Sequence, residues 1–323
     1  LQTFVVDKKL GRWEQTIIRG GQGFRFELGD SDRLWELELQ PSLGMAQGVS
    51  IQSQPDFLLR CDDQDVRPVA IFTDGFEFHV HPHNNLADDL KKRRAIIESG
   101  NYHVWSVTWS DLDPATADHV MLCHSKVAQM LEKYGSLAAS RGQVVPDPRR
   151  LLRNGLEQLK AYIEVPERAG WSQLAHYLIF RPLNMLAEQR STDATVLTSS
   201  LEGWRAGNAL SPPETVEGGD WAWNDKAGLN QDILTCMTVD DAISNRVHKT
   251  LVLGRLSDSE NEVTGSEFRE RWRRFLASMN LYQFCDTFRF WSTSEATSGD
   301  APDLPFADVT VPVDEWQDIV NDV

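Results

Sequence analysis

Pro55-Asp56-Phe57-Leu58-Leu59 and Val69-Ala70-Ile71-Phe72-Thr73-Asp74 are two short apolar runs, each carrying a carboxylate at one end. Runs of this length, rich in β-branched and aromatic residues, read as buried strands. Asp56 heads the first and Asp74 closes the second, 18 residues later. Antiparallel pairing of adjacent strands would bring the two acids to one end of a sheet. Two carboxylates there, or one carboxylate and a main-chain carbonyl, are the oxygen ligands that a hard divalent cation takes. Such a cation polarises a phosphate and acidifies a bound water, and phosphodiester hydrolysis needs both effects. After Gly75 come His79, His81 and His83 at alternating positions. A histidine titrates near neutral pH and can serve as general acid or base. Asp88 and Asp89 open the following helix and could orient it. The same residues also read as a polar hairpin tip followed by a solvated helix, and on the residues alone both readings stand.

Outward from this stretch, the first 60 residues are mostly β. Gly20-Gly21 is a turn signal, and Gly23 to Leu28 and Leu34 to Leu39 alternate apolar with polar residues. Leu86 to Ser99 reads as a helix rich in Lys and Arg that stops at Gly100, and Val104 to Trp109 as a strand. A helix is expected from Pro114 to about Tyr134, then a linker over Gly142 to Pro148. Beyond it, Leu151 to Ile163 and Ser172 to Glu188 look helical, Ala194 to Leu197 looks β-like, and Pro212-Pro213 and Gly218-Gly219 mark a loop. Leu251 to Leu256 reads as a strand, Ser266 to Asn280 as an amphipathic helix, and Ser292 to Pro305 as loose chain. No internal repeat shows in the sequence. The expected architecture is α/β: a mixed sheet flanked by helices over residues 1–142, and a helix-rich α+β lobe over 143–323.

Composition sets the outer bounds. The 323 residues are 41% hydrophobic and 25% charged, an ordinary globular balance. No apolar run is long enough to span a bilayer. The chain begins at Leu1 without a signal-peptide pattern, and reads as a piece of a longer protein. Cys61, Cys123, Cys236 and Cys285 are dispersed, with no closely spaced pair to start a zinc site or a disulfide framework; a reducing cytoplasm is the simplest setting. The net charge of −16 argues against a protein that coats nucleic acid. DNA contact would have to come from local basic clusters: Lys91, Lys92, Arg93 and Arg94; Arg149, Arg150 and Arg153; or Arg269, Arg271, Arg273 and Arg274. Each also reads as a solvated helix face.

Pro55 to Leu59 and Val69 to His79, together with Asp89 to Gly100 and the strand Val104 to Trp109, resemble the core of very-short-patch repair endonucleases, a branch of the PD-(D/E)xK nuclease fold. The Phe72-Thr73-x-Gly75-x-x-x-His79 order and spacing carry the resemblance. It implies a restriction-endonuclease-like fold and magnesium, or manganese, held by Asp56 and the main-chain carbonyl of Thr73. It further implies that His79 activates water and Asp89 supports it. Beside that resemblance, Asp74 could add a metal ligand, and a helix beside the cleft would present Lys91, Lys92 and Arg94 to DNA phosphates. Three departures stand out. The family has histidine at the place of Asp74. Its zinc cysteines fall on Phe76, His83 and near Asp111. Its N-terminal glutamate has no clear counterpart, with Glu27, Glu36 and Glu38 as candidates. Phe72 stands where many PD-(D/E)xK enzymes carry a second acid, but the repair family also has phenylalanine there.

A second resemblance runs in separated blocks: Leu34 to Val49, Gln54 to Phe57, Val104 to Asp111 and Trp272 to Phe284. These are similar to the C-terminal region of very large bacterial DEAD/DEAH-box helicases of anti-phage systems such as Druantia and DISARM. The implied partners are DNA, helicase motor domains and other defence subunits, with no membrane. Neither a P-loop nor a DEAH box occurs in this chain, so the motor itself is not here. Three readings follow: a magnesium-dependent DNA endonuclease module, a catalytically weak nuclease fold kept for DNA binding or docking on the motor, or an interaction domain with incidental histidines. Elemental analysis of the purified protein is expected to find no stoichiometric zinc; one zinc per chain would point first to His79, His81 and His83.

Overall fold

The computed structural model describes residues 1–7, 11–29, 31–113, 122–123, 125–186, 191–210, 219–224 and 232–304. Strands β1 (Arg12–Ile18) and β2 (Gly21–Glu27) are joined by Arg19 and Gly20, with φ of 50° and 88°. Positive φ at both central residues matches the right-handed twist of the flanking strands. In β3 (Leu34–Leu39) alternation buries Trp35 and Leu37, and the Trp35 ring stacks on Phe26 across the ladder. The next strands are β4 (Phe57–Cys61), β5 (Val69–Asp74) and β6 (His103–Thr108). The six strands pair in chain order, antiparallel until the last pair, where β5 and β6 run parallel. A parallel pair needs a crossover, and here it is the short helix α2 (Phe76–His79) followed by α3 (Leu86–Glu98). Helix covers β6, which is buried along its whole length.

The second sheet, in the order β11-β10-β9-β8-β7, comprises β7 (Ser191–Thr192), β8 (Trp221–Asn224), β9 (Ile233–Thr238), β10 (Leu251–Leu256) and β11 (Phe288–Ser292). Again all neighbours are antiparallel except the last pair, β10 and β11. Again the crossover is a short helix, α11 (Glu260–Val263), and a long one, α12 (Phe268–Tyr282). The unit β3-β4-β5-helices-β6 therefore recurs as β8-β9-β10-helices-β11. After each parallel strand the chain turns into a short helix, α4 (Trp109–Leu112) or α13 (Thr293–Ser298). Between the units lie α5 (Ser125–Ser140), α6 (Pro148–Leu151), α7 (Gly155–Glu164), α8 (Arg168–Leu186) and α9 (Ala194–Arg205), with α10 (Val239–Ile243) after β9 and α1 (Gln2–Asp7) at the start.

The two units lock together reciprocally. Helix α12 covers β6, and α3 packs on β11. The outer edge of β6 would expose the N–H and carbonyl groups of Val104 and Ser106, and buried backbone groups left unpaired are costly. Asn280 accepts from the Ser106 N–H at 2.8 Å and donates to its carbonyl at 2.9 Å. Gln283 does the same for Val104, at 2.8 and 2.6 Å. In return, Arg94 of α3 donates to the Phe290 carbonyl at 2.9 Å and pairs with Glu295, while Arg273 of α12 pairs with Asp111. Glu295 and Asp111 occupy matching places: each accepts the N–H of the residue that caps its helix, Ser292 or Thr108. Gly155 lets α7 approach β6 closely, since a Cβ there would meet the Ser106 carbonyl at 2.3 Å. One hydrophobic cluster runs from Val5 to Phe290 through both sheets, and a smaller one under α9 holds Trp204, Trp223 and Trp291. No described helix is long and apolar enough to cross a membrane.

Two local expectations are corrected. Ala194 to Leu197 is the first turn of α9, begun by Asp193, whose side chain accepts the Val196 N–H at 2.8 Å; a cap outweighs β propensity there. Ser292 to Ser298 is not loose chain but the end of β11 and α13. The expected helix start at Pro114 and the Pro212-Pro213 loop lie outside the described residues. The division near residue 142 falls just after α5, yet the main core continues across it. Replacing Asn280 by alanine would leave two backbone groups of Ser106 buried and unpaired, at about 1–3 kcal/mol each. Urea denaturation of Asn280→Ala is expected to show a loss of about 3 kcal/mol; a loss under about 1 kcal/mol would mean that water seals this edge.

Candidate functional site

The candidate residues gather around the C-terminal end of β5. Asp56, just before β4, accepts the Thr73 N–H at 2.6 Å and the Thr73 hydroxyl at 2.8 Å through the same oxygen, Oδ2. The next residue, Asp74, is buried to 1% exposure and pairs with Arg93 of α3. Arg93 itself is 3% exposed, with its guanidinium 4.7 Å from the centre of the Phe72 ring. His79, the last residue of α2, stands 3.9 Å from Asp74 through Nε2 and makes a 2.7 Å contact with Asp89 through Nδ1. Asp89 lies in the first turn of α3, as anticipated. The structure thus forms two contact groups, Asp56–Thr73 and Asp74–Arg93–His79–Asp89, joined through consecutive residues of β5. Asp56 makes no hydrogen bond or ion pair with His79 among the described residues.

The electrostatics follow from these contacts. The hydrogen bond to Asp89 raises the His79 imidazole above its ordinary value; burial opposes the shift, and the charges of Asp74 and Asp89 add to it. For Asp89, burial pushes the carboxyl up, but the bond to His79 and the nearby Arg93 outweigh it and hold the carboxyl below its ordinary value. Nδ1 of His79 faces the carboxylate, so in the neutral ring Nδ1 carries the proton and Nε2 is the free base.

Asp56 and Thr73 suit a magnesium ion better than Asp74 does. Magnesium is commonly held by only one or two carboxylates, its other positions being filled by water and substrate phosphate. Asp56 Oδ1 has no hydrogen bond from the described residues, whereas one Asp74 oxygen is taken by Arg93 and the other, Oδ2, is buried without a partner. A cation at Asp74 would compete with that guanidinium. Among the described residues, no group of three or more His, Cys, Asp and Glu side chains is arranged to hold a metal.

The basic clusters are largely spent on acids. Lys92 pairs with Asp88, Lys91 approaches Asp300 at 4.0 Å, and Arg94 is turned into the seam against Glu295. Lys91 and Lys92 therefore remain the accessible members of the predicted DNA-contacting set. Arg149, Arg150 and Arg153 pair with Glu132, Glu164 and Glu157. Arg269 to Arg274 pair with Glu77, Asp232, Asp111 and Glu270. Sequence reasoning missed a small cavity of about 110 Å³ beside Asp74, where Thr108 and Trp109 meet Arg269 and Trp272 of α12. Nothing local in the sequence could have joined residues so far apart.

The second unit carries a counterpart with its charges rearranged. Asp232 immediately precedes β9 as Asp56 precedes β4. Arg271 is the fourth residue of α12, as Asp89 is of α3. Arg271 bonds both oxygens of the fully buried Asp232, at 2.7 and 3.1 Å, and reaches Glu262 of α11 at 3.0 Å. The equivalent place is closed by an internal ion-pair cluster. Comparisons of this chain with protein-family models, with curated proteins and with solved structures give no match.

A raised imidazole contributes stability that is complete below the unfolded value and is lost as pH rises through the folded one. The His79–Asp89 pair should therefore stabilise the fold most in mildly acidic solution. By NMR the His79 titration is expected to centre above 6.5 in the parent chain and to move down in Asp89→Asn; an unmoved midpoint would show that the pair does not exist in solution.

Proposed function

We propose that this chain is a magnesium-dependent DNA endonuclease-like module with a restriction-endonuclease-like fold, working within a bacterial helicase-linked DNA-processing or anti-phage protein. The observation that supports it most is the 2.7 Å His79–Asp89 pair, held at the end of β5 where Thr73 binds Asp56. Asp89 fixes the ring and supports its charged form, so that Nε2 of His79 can take a proton from water. Asp56, through its uncommitted oxygen, and the Thr73 carbonyl would hold the ion, which when bound supplies phosphate polarisation and a more acidic water. Lys91 and Lys92 would lie along the phosphate backbone, and DNA, the helicase motor and other defence subunits are the partners of this reading.

The alternative is a nuclease fold kept for DNA binding or for docking on the motor, with weak cleavage. It is favoured by the Arg93 clamp on Asp74, by the paired state of most basic side chains and by the net charge of −16.

The test is cleavage of a pre-opened duplex, because this chain carries no motor motif. Asp56→Asn is expected to abolish magnesium-dependent cleavage, since the amide keeps the shape and removes the charge. His79→Ala should lose about 10²–10⁴-fold in rate. The rate should climb with pH as His79 gives up its proton, on a limb displaced upward by Asp89. Cleavage that survives Asp56→Asn would remove the endonuclease reading; DNA binding without cleavage by the parent chain would establish the alternative.

A further inference from the structure

A cavity of about 400 Å³ opens on the seam between the two repeated units, at the start of β6 and β11. It lies at the opposite end of the β5–β6 pair from Asp74 and His79. Both units contribute to it: the end of α3 and His103 from one, Gln283 and Arg289 from the other. Its volume is that of a pocket for a small organic ligand.

Its charge runs against that of the protein. In a chain of net charge −16, four arginines line this cavity, Arg67, Arg94, Arg168 and Arg289, against two acids, Glu98 and Asp286. Arg94 is committed to Glu295, and Arg168 pairs with the exposed Asp286. Among the described residues, Arg289 donates only to the main-chain carbonyls of Asp286 and Phe288, at 2.9 and 2.8 Å. The Arg67 guanidinium makes no hydrogen bond or ion pair among the described residues. Two guanidinium groups therefore face the cavity without a carboxylate, where most other arginines of the chain have one.

The floor reports the same convergence. His103 is 3% exposed; burial, with the charges of Arg168 and Arg67 acting in the same direction, pushes its imidazole down to about 3. The ring is neutral at physiological pH, and both guanidinium groups act on it. Tyr102, Phe288 and Phe290 also line the cavity, but their side chains are buried in the core, the last two with ring centroids 5.3 Å apart.

We propose that this cavity binds a small phosphate-bearing molecule of nucleotide size, with Arg67, Arg168 and Arg289 on the phosphate and the rest of the ligand filling the remaining cavity volume. Guanidinium forks match phosphate oxygens in pairs. A terminal phosphate presents three oxygens and up to two charges, which answers three guanidinium groups better than a single carboxylate does. Because both units line the cavity, a bound ligand would tie them together and stabilise the whole chain by mass action. The site is independent of the nuclease reading.

The test is thermal unfolding of the whole chain at constant ionic strength, with AMP, inorganic phosphate or adenosine. AMP is expected to raise the melting temperature and adenosine to leave it unchanged. A rise with AMP well above that with phosphate identifies a nucleotide as the ligand; equal rises identify free phosphate. The double variant R67E/R289E is expected to abolish the rise. Should it not fold, R67E alone, at a side chain with no partner to lose, is expected to weaken phosphate-ligand affinity about tenfold, the worth of one charge-assisted hydrogen bond. No rise with either anion, or an affinity unchanged in R67E, would overturn the proposal. Asp56→Asn should retain the rise, which separates this site from the cleavage site.

Discussion

The open edge of β6 is the constraint on which the rest of the structure depends. A parallel strand at the end of a sheet leaves every second backbone N–H and carbonyl facing outward, and a buried edge cannot leave them to water. Asn280 and Gln283 supply these groups with partners, each amide imitating the backbone of a further strand. Two side chains one helical turn apart can do this only if α12 lies along β6 in one register. That register places Arg273 on Asp111, and it sets Arg269 and Trp272 as a wall beside Asp74. The second unit is thus a structural part of the first unit's cavity.

The repetition of the strand–helix unit explains why the seam is built from matching pieces. Each long crossover helix lies on the other unit's last strand, and each sends an arginine to the acid that receives its neighbour's helix-capping N–H. At the site itself the two units diverge in one chemical choice. The fourth residue of the crossover helix is Asp89 in one and Arg271 in the other. The carboxylate raises a histidine's basicity and leaves Asp56 free to hold something else. The arginine instead neutralises the acid that precedes β9 and fills the place. A buried ion pair of this kind contributes little net stability against an apolar substitute, but breaking it is costly, so that place in the second unit stays closed.

Charge pairing also accounts for how an acidic chain carries so many arginines without a basic face. Most of the basic side chains noted in the sequence sit opposite carboxylates, several across the seam. Among the described residues, Arg67 and Arg289 have no carboxylate partner, and both line the cavity between the units.

Much of the first unit could be read from the sequence. Short apolar runs bounded by Pro, Gly and Asp placed β4, β5, β10 and α3 within a residue or two, because burial on both faces and helix capping are written locally. The pairing of His79 with Asp89 was also foreseeable from the motif and the helix start. What the sequence could not specify was everything set by contacts between distant residues. Asp74 reads as a free carboxylate until Arg93 is seen stacked on Phe72 and bonded to it. Arg94 reads as a phosphate contact until Glu295 is brought against it from 201 residues away. The repeat of the unit was hidden because hydrogen-bonded topology constrains burial pattern and strand direction, not residue identity. The sequence by itself determined where strands and helices form, since those depend on periodicity and caps. Which charges are free and which are spent was decided only by the tertiary structure, because an ion pair depends on distance in space and not along the chain.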